Sequence, residues 1–355
     1  MEKILEVKNL RTYFHMHGQT NYTVKAVDGV DFDIKKGETL GIVGESGCGK
    51  SQTSMSIMRL VPDPPGRIES GEILLNGKNL LELSEEEMRR VRGNDISMIF
   101  QEPMTSLNPV FTVGFQISEG LILHRNMGKE EALKESVRLL KEVGISDPEE
   151  RVNEYPFQLS GGLRQRVMIA IAMACEPQIM IADEPTTALD VTIQAQILRL
   201  MAKLKEKHDT SIMFITHDLA VIASFTERVI VMYAGVVVED TDVYSIFKKP
   251  MHPYTQGLLG SVPVLGEVKK NSDGSRRLLN AIPGTLPDPK NFPSGCRFAP
   301  RCPKVMSKCW EAEPKLVEVE NGHKVRCFLY SDEIRETPAY KEVKNMQKMM
   351  KGGKK

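Results

Sequence analysis

Apolar and polar positions alternate from Leu5 to Lys35, which predicts two or three strands of an antiparallel sheet around the polar turn His15-Met16-His17-Gly18-Gln19-Thr20-Asn21. The period then changes. Glu38 to Val43, Ile96 to Phe100, Ile179 to Asp183 and Ser211 to Ile215 are short, nearly uninterrupted apolar runs, as buried strands require. A further strand ending in a turn, Gly71 to Gly77, follows the loop Pro62-Asp63-Pro64-Pro65-Gly66. Between these runs the spacing is helical at Ser51 to Met58, from Pro109 to about Glu150, and at Val167 to Ala174. Strands alternating with helices predict an α/β fold with a mainly parallel sheet covered on both faces. Near Lys249-Pro250 the composition shifts to frequent Pro and Gly with short strands, and Lys344 to Lys355 is a basic tail without an apolar face. We therefore expect residues 1–250 as one domain with a helical part at about 102–170, a loop-rich extension at 251–335, and a disordered tail at 336–355.

Bulk properties exclude several classes. With 47 basic and 47 acidic residues among 355, no global field draws the chain to nucleic acid or anionic lipid. No apolar run approaches the roughly 20 residues of a spanning helix, and Met1-Glu2-Lys3-Ile4 opens no signal peptide. A cytoplasmic protein is expected, whose membrane role would run through partners.

Gly44-Glu45-Ser46-Gly47-Cys48-Gly49-Lys50-Ser51 matches the phosphate-cradling loop at each fixed position, between a predicted strand and a predicted helix. Glycines let consecutive backbone N–H groups face the phosphates, and the following helix presents its positive end. Lys50 reaches the β- and γ-phosphates, and Ser51 is placed to ligate Mg²⁺. Gln52 continues the helix beside the site. Asp183 and Glu184 stand at the C-terminal end of an apolar strand, where open α/β sheets bind ligands. Asp183 suits a Mg²⁺ ligand and Glu184 the group that orients or deprotonates the attacking water. Gln101 and His217, each just past a strand, can reach the metal or water and the γ-phosphate. Ser160-Gly161-Gly162 caps an apolar helix, making a second anion-binding helix N-terminus.

These motifs, in this order, resemble the ATP-binding subunits of ABC transporters. The resemblance rests on Gly44 to Ser51 (Walker A), Gln101 (Q-loop), Leu159 to Arg166 (signature), Ile179 to Glu184 (Walker B with its catalytic Glu), Ala188-Leu189-Asp190 (D-loop) and His217 (switch His). It spans Phe14 to about Lys249, and Leu163 departs from it where the usual signature has Gln. It implies a P-loop NTPase with a RecA-like core, an antiparallel β subdomain and a helical subdomain. It also implies Phe14, before Tyr13, as the aromatic stacked on adenine, and a head-to-tail dimer. There Ser160, Gly161, Gly162 and Asp190 would serve the partner's ATP.

Of six cysteines, Cys48 and Cys175 read as small buried thiols, whereas Cys296, Cys302, Cys309 and Cys327 cluster late in the chain. Their Cys-x5-Cys-x6-Cys-x17-Cys spacing lacks the Cys-x2-Cys knuckles of zinc sites and is not the ferredoxin run, so it suggests a soft-metal site and leaves the metal open. Arg297, Arg301 and Arg326 adjoin three of them and are expected to offset thiolate charge. Nothing in the spacing places the cluster near the triphosphate. His252 to Leu259, Ile282-Pro283-Gly284 and Cys296 to Pro303 resemble the C-terminal extension of dipeptide and oligopeptide importer ATPases, where four cysteines are implied to hold a 4Fe-4S cluster.

By that resemblance the chain would energise a peptide importer from the cytoplasmic face of the membrane. Its implied partners are a second, different ATPase subunit, two membrane-spanning permeases and an extracytoplasmic peptide-binding protein, with no nucleic acid. An importer of nickel or oligosaccharide is the nearest alternative. A soluble ABC ATPase acting on nucleic acid or ribosomes would carry two cassettes or a long coiled-coil insertion, yet there is one cassette and only 58 residues separate Gln101 from Ser160. Export usually has a fused membrane segment or a different C-terminal region.

Overall fold

The structure, a computed structural model, describes residues 2–18, 21–102, 106–187, 189–262, 281–320 and 322–331. The expected tail at 336–355 lies outside them. β1 (Lys3–Met16) and β2 (Tyr22–Lys35) form the predicted antiparallel pair. With β4 (Gly66–Leu75) and β5 (Lys78–Asn79) they build a four-stranded sheet ordered β2-β1-β4-β5.

The second sheet has eight strands. Its parallel core is β6 (Ile96–Ile99), β7 (Ile179–Asp183), β8 (Ser211–Thr216), β3 (Thr39–Val43) and β9 (Arg228–Tyr233), in that spatial order. β3, β7 and β8 are buried at every residue, which is why their sequences read as continuous apolar runs. Beyond β9 the sheet turns antiparallel through β10 (Val236–Asp242), β12 (His323–Val325) and β11 (Val317–Glu320). The residues past 250 thus complete the eight-stranded sheet from its edge.

One apolar core, including Leu5, Val27, Ile42, Ile57 and Ile181, fills the space between the two sheets. A second lies on the opposite face and joins Phe214 and Met180 to the helices Gly161–Met173 and Val191–His208 and to the helical part, Val113–Arg125 and Lys129–Glu142. A third packs Tyr254 and Phe298 of the extension against Tyr233. Among the described residues no helix is long and apolar enough to cross a membrane.

Buried charge in β10 is fully paired. Glu239 accepts the N–H groups of Met251 (2.7 Å) and His252 (2.9 Å) and meets His323 Nε2 at 2.7 Å. Asp240 takes Arg228, whose guanidinium also donates to Glu38 at 2.8 Å. Leaving either carboxylate without partners here would cost several kcal/mol, roughly 3–5, and because the partners of Glu239 all lie beyond residue 250, the extension's docking is built into the sheet.

Candidate nucleotide site

The loop after β3 can only be built from glycine at two points. A Cβ on Gly44 would lie 2.3 Å from the Met232 carbonyl oxygen, and one on Gly49 would lie 2.4 Å from that of Ala26. Gly49 also has φ +105°, in the region that L side chains avoid, whereas Gly47 (φ +81°) faces open space. Lys50, nearly buried, donates from Nζ to the carbonyls of Gly44 (2.9 Å) and Glu45 (3.2 Å), so its ammonium sits within the loop. Ser46 is exposed, and Ser51 and Gln52 are half-buried on the first turn of the helix Lys50–Ile57. Burial pushes the Cys48 thiol up to about 11, which removes it from thiolate chemistry.

Asp183 ends β7 and is buried with Oδ1 lacking any hydrogen-bond partner. Burial raises its carboxyl, and the Glu184 charge adds to the rise, while Ser51 and Lys50 pull it down. An unpartnered buried carboxylate oxygen beside Ser51 is a donor set that suits a hard divalent cation.

Glu184 follows with φ +47°, a left-handed conformation rare for a non-glycine residue and typical of strained functional positions. That conformation aims its carboxylate at three donors from separate segments. Gln101 Nε2 lies 3.4 Å from Oε2, Thr187 Oγ1 3.0 Å and His217 Nδ1 3.1 Å. Sequence reasoning named Glu184, Gln101 and His217 but missed Thr187, whose only signal was its place one turn after the acid.

Ser160 accepts the Leu163 N–H at 3.4 Å as the cap of the helix Gly161–Met173, and Ser160 and Gly161 are exposed. Among the described residues, no hydrogen bond joins them or Gly162 to the phosphate loop of their own chain. Leu163 packs on the helical-side core, which accounts for an apolar residue there. Asp190 caps the helix Val191–His208 through the N–H groups of Thr192 (3.0 Å) and Ile193 (2.9 Å); Ala188 lies outside the described residues. Near the end of β1, Phe14 pairs with Gly66 of β4, where a Cβ would lie 2.7 Å from its ring, while the Tyr13 hydroxyl donates to Asp28 at 2.6 Å.

Residues 27–187 match the family described as ABC transporter, and residues 238–309 match the one described as oligopeptide/dipeptide transporter, C-terminal region. The oligopeptide transport ATP-binding protein AppD of Bacillus subtilis (strain 168) is 56% identical over 334 residues, covering 94% of this chain and 98% of its own length. This chain belongs to the ATP-binding proteins of oligopeptide and dipeptide ABC transporters. The dipeptide transport ATP-binding protein DppD of the same organism is 53% identical to this ABC ATPase, over 93% of this chain and 95% of its own. Among solved structures, the dimeric post-hydrolysis state of the ATP-binding cassette MJ0796, bound to ADP and Pi, is similar with TM-score 0.60 and 32% identity. The match covers 67% of this ABC ATPase and 98% of that chain.

In the extension of the ABC ATPase one expectation is corrected. The Arg297, Arg301 and Arg326 guanidinium groups do not serve mainly to offset thiolate charge. Arg297 pairs with Asp28 and donates to the Ala234 carbonyl, Arg301 grips Glu45, and Arg326 donates to the Val237 carbonyl. The reason is proximity to β2 and the phosphate loop, which offer the carboxylates, and to β10 and the turn before it, which offer carbonyls. The Glu45 contact also joins the cysteine-bearing segment to the nucleotide site.

Cys296, Cys302, Cys309 and Cys327 are all free thiols. Burial raises those of Cys296, to about 11, and Cys327, to about 12, and the neighbouring sulfurs add to the rise. The backbone N–H of Lys304 donates to Cys302 Sγ at 3.4 Å. Among the described residues, however, no group of three or more His, Cys, Asp or Glu side chains stands in a metal-holding arrangement.

Proposed function

We propose that this ABC ATPase hydrolyses ATP to energise import of short peptides, with Glu184 as the group that orients and deprotonates the attacking water. The observation that carries the reading is the meeting of Gln101, Thr187 and His217 on one Glu184 oxygen, beside the unpartnered Asp183 oxygen. Lys50 and the loop N–H groups cradle the β- and γ-phosphates, Cys48 shaping the loop from its buried side. Gln52 lies beside the phosphates, Phe14 stacks on the base, and His217 holds the γ-phosphate. Ser51, Asp183 and Gln101 would hold Mg²⁺, which when bound neutralises phosphate charge.

The exposed Ser160-Gly161-Gly162 turn supports a head-to-tail dimer in which this chain closes the site of a second, different ATPase subunit, with Asp190 beside it. The stacked pairs Phe111/Phe115 and Tyr155/Phe157 lie exposed on neighbouring segments, linked by the Val113 N–H to Glu154 carbonyl bond. Such an apolar face suits docking to two membrane-spanning permeases, fed by an extracytoplasmic peptide-binding protein. That arrangement would keep the chain on the cytoplasmic face of the membrane. The functional boundary then falls near residue 250, although the sheet crosses it.

Cys296, Cys302, Cys309 and Cys327 would hold a 4Fe-4S cluster. Four free thiols, with the Lys304 N–H donating to Cys302, are ligands of the type that group takes, and when bound it supplies a redox-active centre. Anaerobically purified protein should be brown and contain iron and sulfide, and a colourless preparation with stoichiometric zinc would exclude the assignment. For the reaction itself, Glu184→Gln in the assembled transporter should lower turnover at least about 100-fold while trapping an ATP-bound dimer. Loss of turnover without trapping would remove Glu184 from this role.

A further inference from the structure

We infer that Arg301, in the cysteine-bearing extension, is a positioning residue for the phosphate loop, acting through Glu45. The inference rests on the ATPase reading above and deepens it. Glu45 is the loop's second residue, and each of its polar groups is held from a different side. Its carboxylate takes Arg301 in a two-pronged pair, Oε2 to Nη1 at 2.7 Å and Oε1 to Nη2 at 3.0 Å. Its N–H donates to the Tyr254 hydroxyl at 2.9 Å, and its carbonyl accepts Lys50 Nζ at 3.2 Å. Two of these three anchors, Arg301 and Tyr254, come from beyond residue 250. The third is the lysine that must meet the phosphates.

Arg301 is itself fixed. It is nearly buried, Nε donates to the Pro283 carbonyl at 2.9 Å, and its guanidinium lies 5.8 Å from the centre of the Tyr233 ring. The side-chain bond to Glu45 raises its already high pKa, so it stays charged. A planar fork held at Nε and closed on a carboxylate fixes orientation as well as distance, which an ammonium on a flexible stem does not. The consequence runs in sequence from Arg301 to Glu45, from the Glu45 carbonyl to Lys50, and from Lys50 to the phosphates. Cys302 is the next residue after Arg301, so a displacement of that cysteine is transmitted to the loop. By linkage, a nucleotide that orders the loop must equally order the extension.

The test uses the full chain assembled with its partner subunit and measures MgATP affinity by calorimetry, alongside the KM and kcat of hydrolysis. Removing a charged, part-buried hydrogen-bond partner should weaken ATP binding about tenfold or more in Arg301→Ala. KM should rise accordingly with kcat changed less, and Arg301→Lys should recover part of the affinity. Glu45→Gln, which changes the loop side of the pair at a half-buried side chain and no residue of the extension, should give a similar loss even where Arg301→Ala folds poorly. The double variant should be no worse than the weaker single one. Unchanged affinity in Glu45→Gln, or losses that multiply in the double variant, would overturn the inference. Failure of the wild-type assembly to bind MgATP would instead undo the ATPase reading.

Discussion

At the residue scale, two kinds of glycine occupy one loop, and they should respond differently to the same change. Gly49 meets both a carbonyl wall and a left-handed backbone, while Gly47 meets only the backbone constraint. Gly49→Ala is expected to destabilise the chain by about 3 kcal/mol or more and abolish ATP binding, against about 1 kcal/mol for Gly47→Ala, as thermal melts would read. Asp183 offers the opposite case. Burial raises its carboxyl, so in the free protein the charge opposes folding. Asp183→Asn should therefore stabilise the nucleotide-free chain by about 1 kcal/mol and remove the added stabilisation by MgATP. A less stable Asn variant would show that the carboxylate has a structural partner after all. The chemistry of these residues was legible in the sequence because spacing fixes the phosphate loop locally. Thr187 was not, since its value lies in reaching a carboxylate that only the Glu184 backbone conformation turns towards it.

At the element scale, strands buried on both faces were read closely, with Ile179 to Asp183 matching β7 end for end. β9 and β10 lie outside the strands read from the pattern. The charged run Glu239-Asp240 hides β10 from any apolar periodicity, because its burial depends on partners far along the chain. One of those distant contacts titrates. Burial holds the His252 imidazole down at about 4 from 6.5, with the Glu239 charge and the Arg326 backbone pulling it up and the Arg326 charge pulling it down. Between those values the unfolded chain binds more protons than the folded one, so stability falls as pH drops from 6.5 towards 4. The loss should approach roughly 3 kcal/mol at the acid end. His252→Asn can still cap the helix Pro253–Gly260 and should flatten this acid slope in melts taken across the range.

For the whole molecule, the extension acts as the edge of the ATPase sheet. It supplies β12 to β10 and the rings of Tyr254 and Phe298 to Tyr233, 4.6 and 5.2 Å away. Ending the chain after Pro250 would uncover that edge and those rings, and should cost on the order of 5 kcal/mol or produce insoluble protein. A soluble truncated chain with the wild-type melting temperature would contradict this. The exposed Ser160 turn makes a separate prediction about the assembled pair. Ser160→Arg here should impair hydrolysis at the partner's phosphate loop while MgATP still binds to Gly44–Ser51 of the same chain. Equal loss of binding at both sites would speak against a shared site.

By itself the sequence determined the α/β class, the phosphate loop and its acidic strand end, because these follow from period, glycine placement and spacing within short stretches. It also carried the family, through the order of those stretches. The tertiary structure alone decided that Arg297, Arg301 and Arg326 face the ATPase core instead of the sulfurs, and that Glu239 and Asp240 are interior residues. It alone put the cysteine-bearing segment in contact with Glu45. A guanidinium's partner is the nearest carboxylate in space, and here that carboxylate stands 256 positions away along the chain.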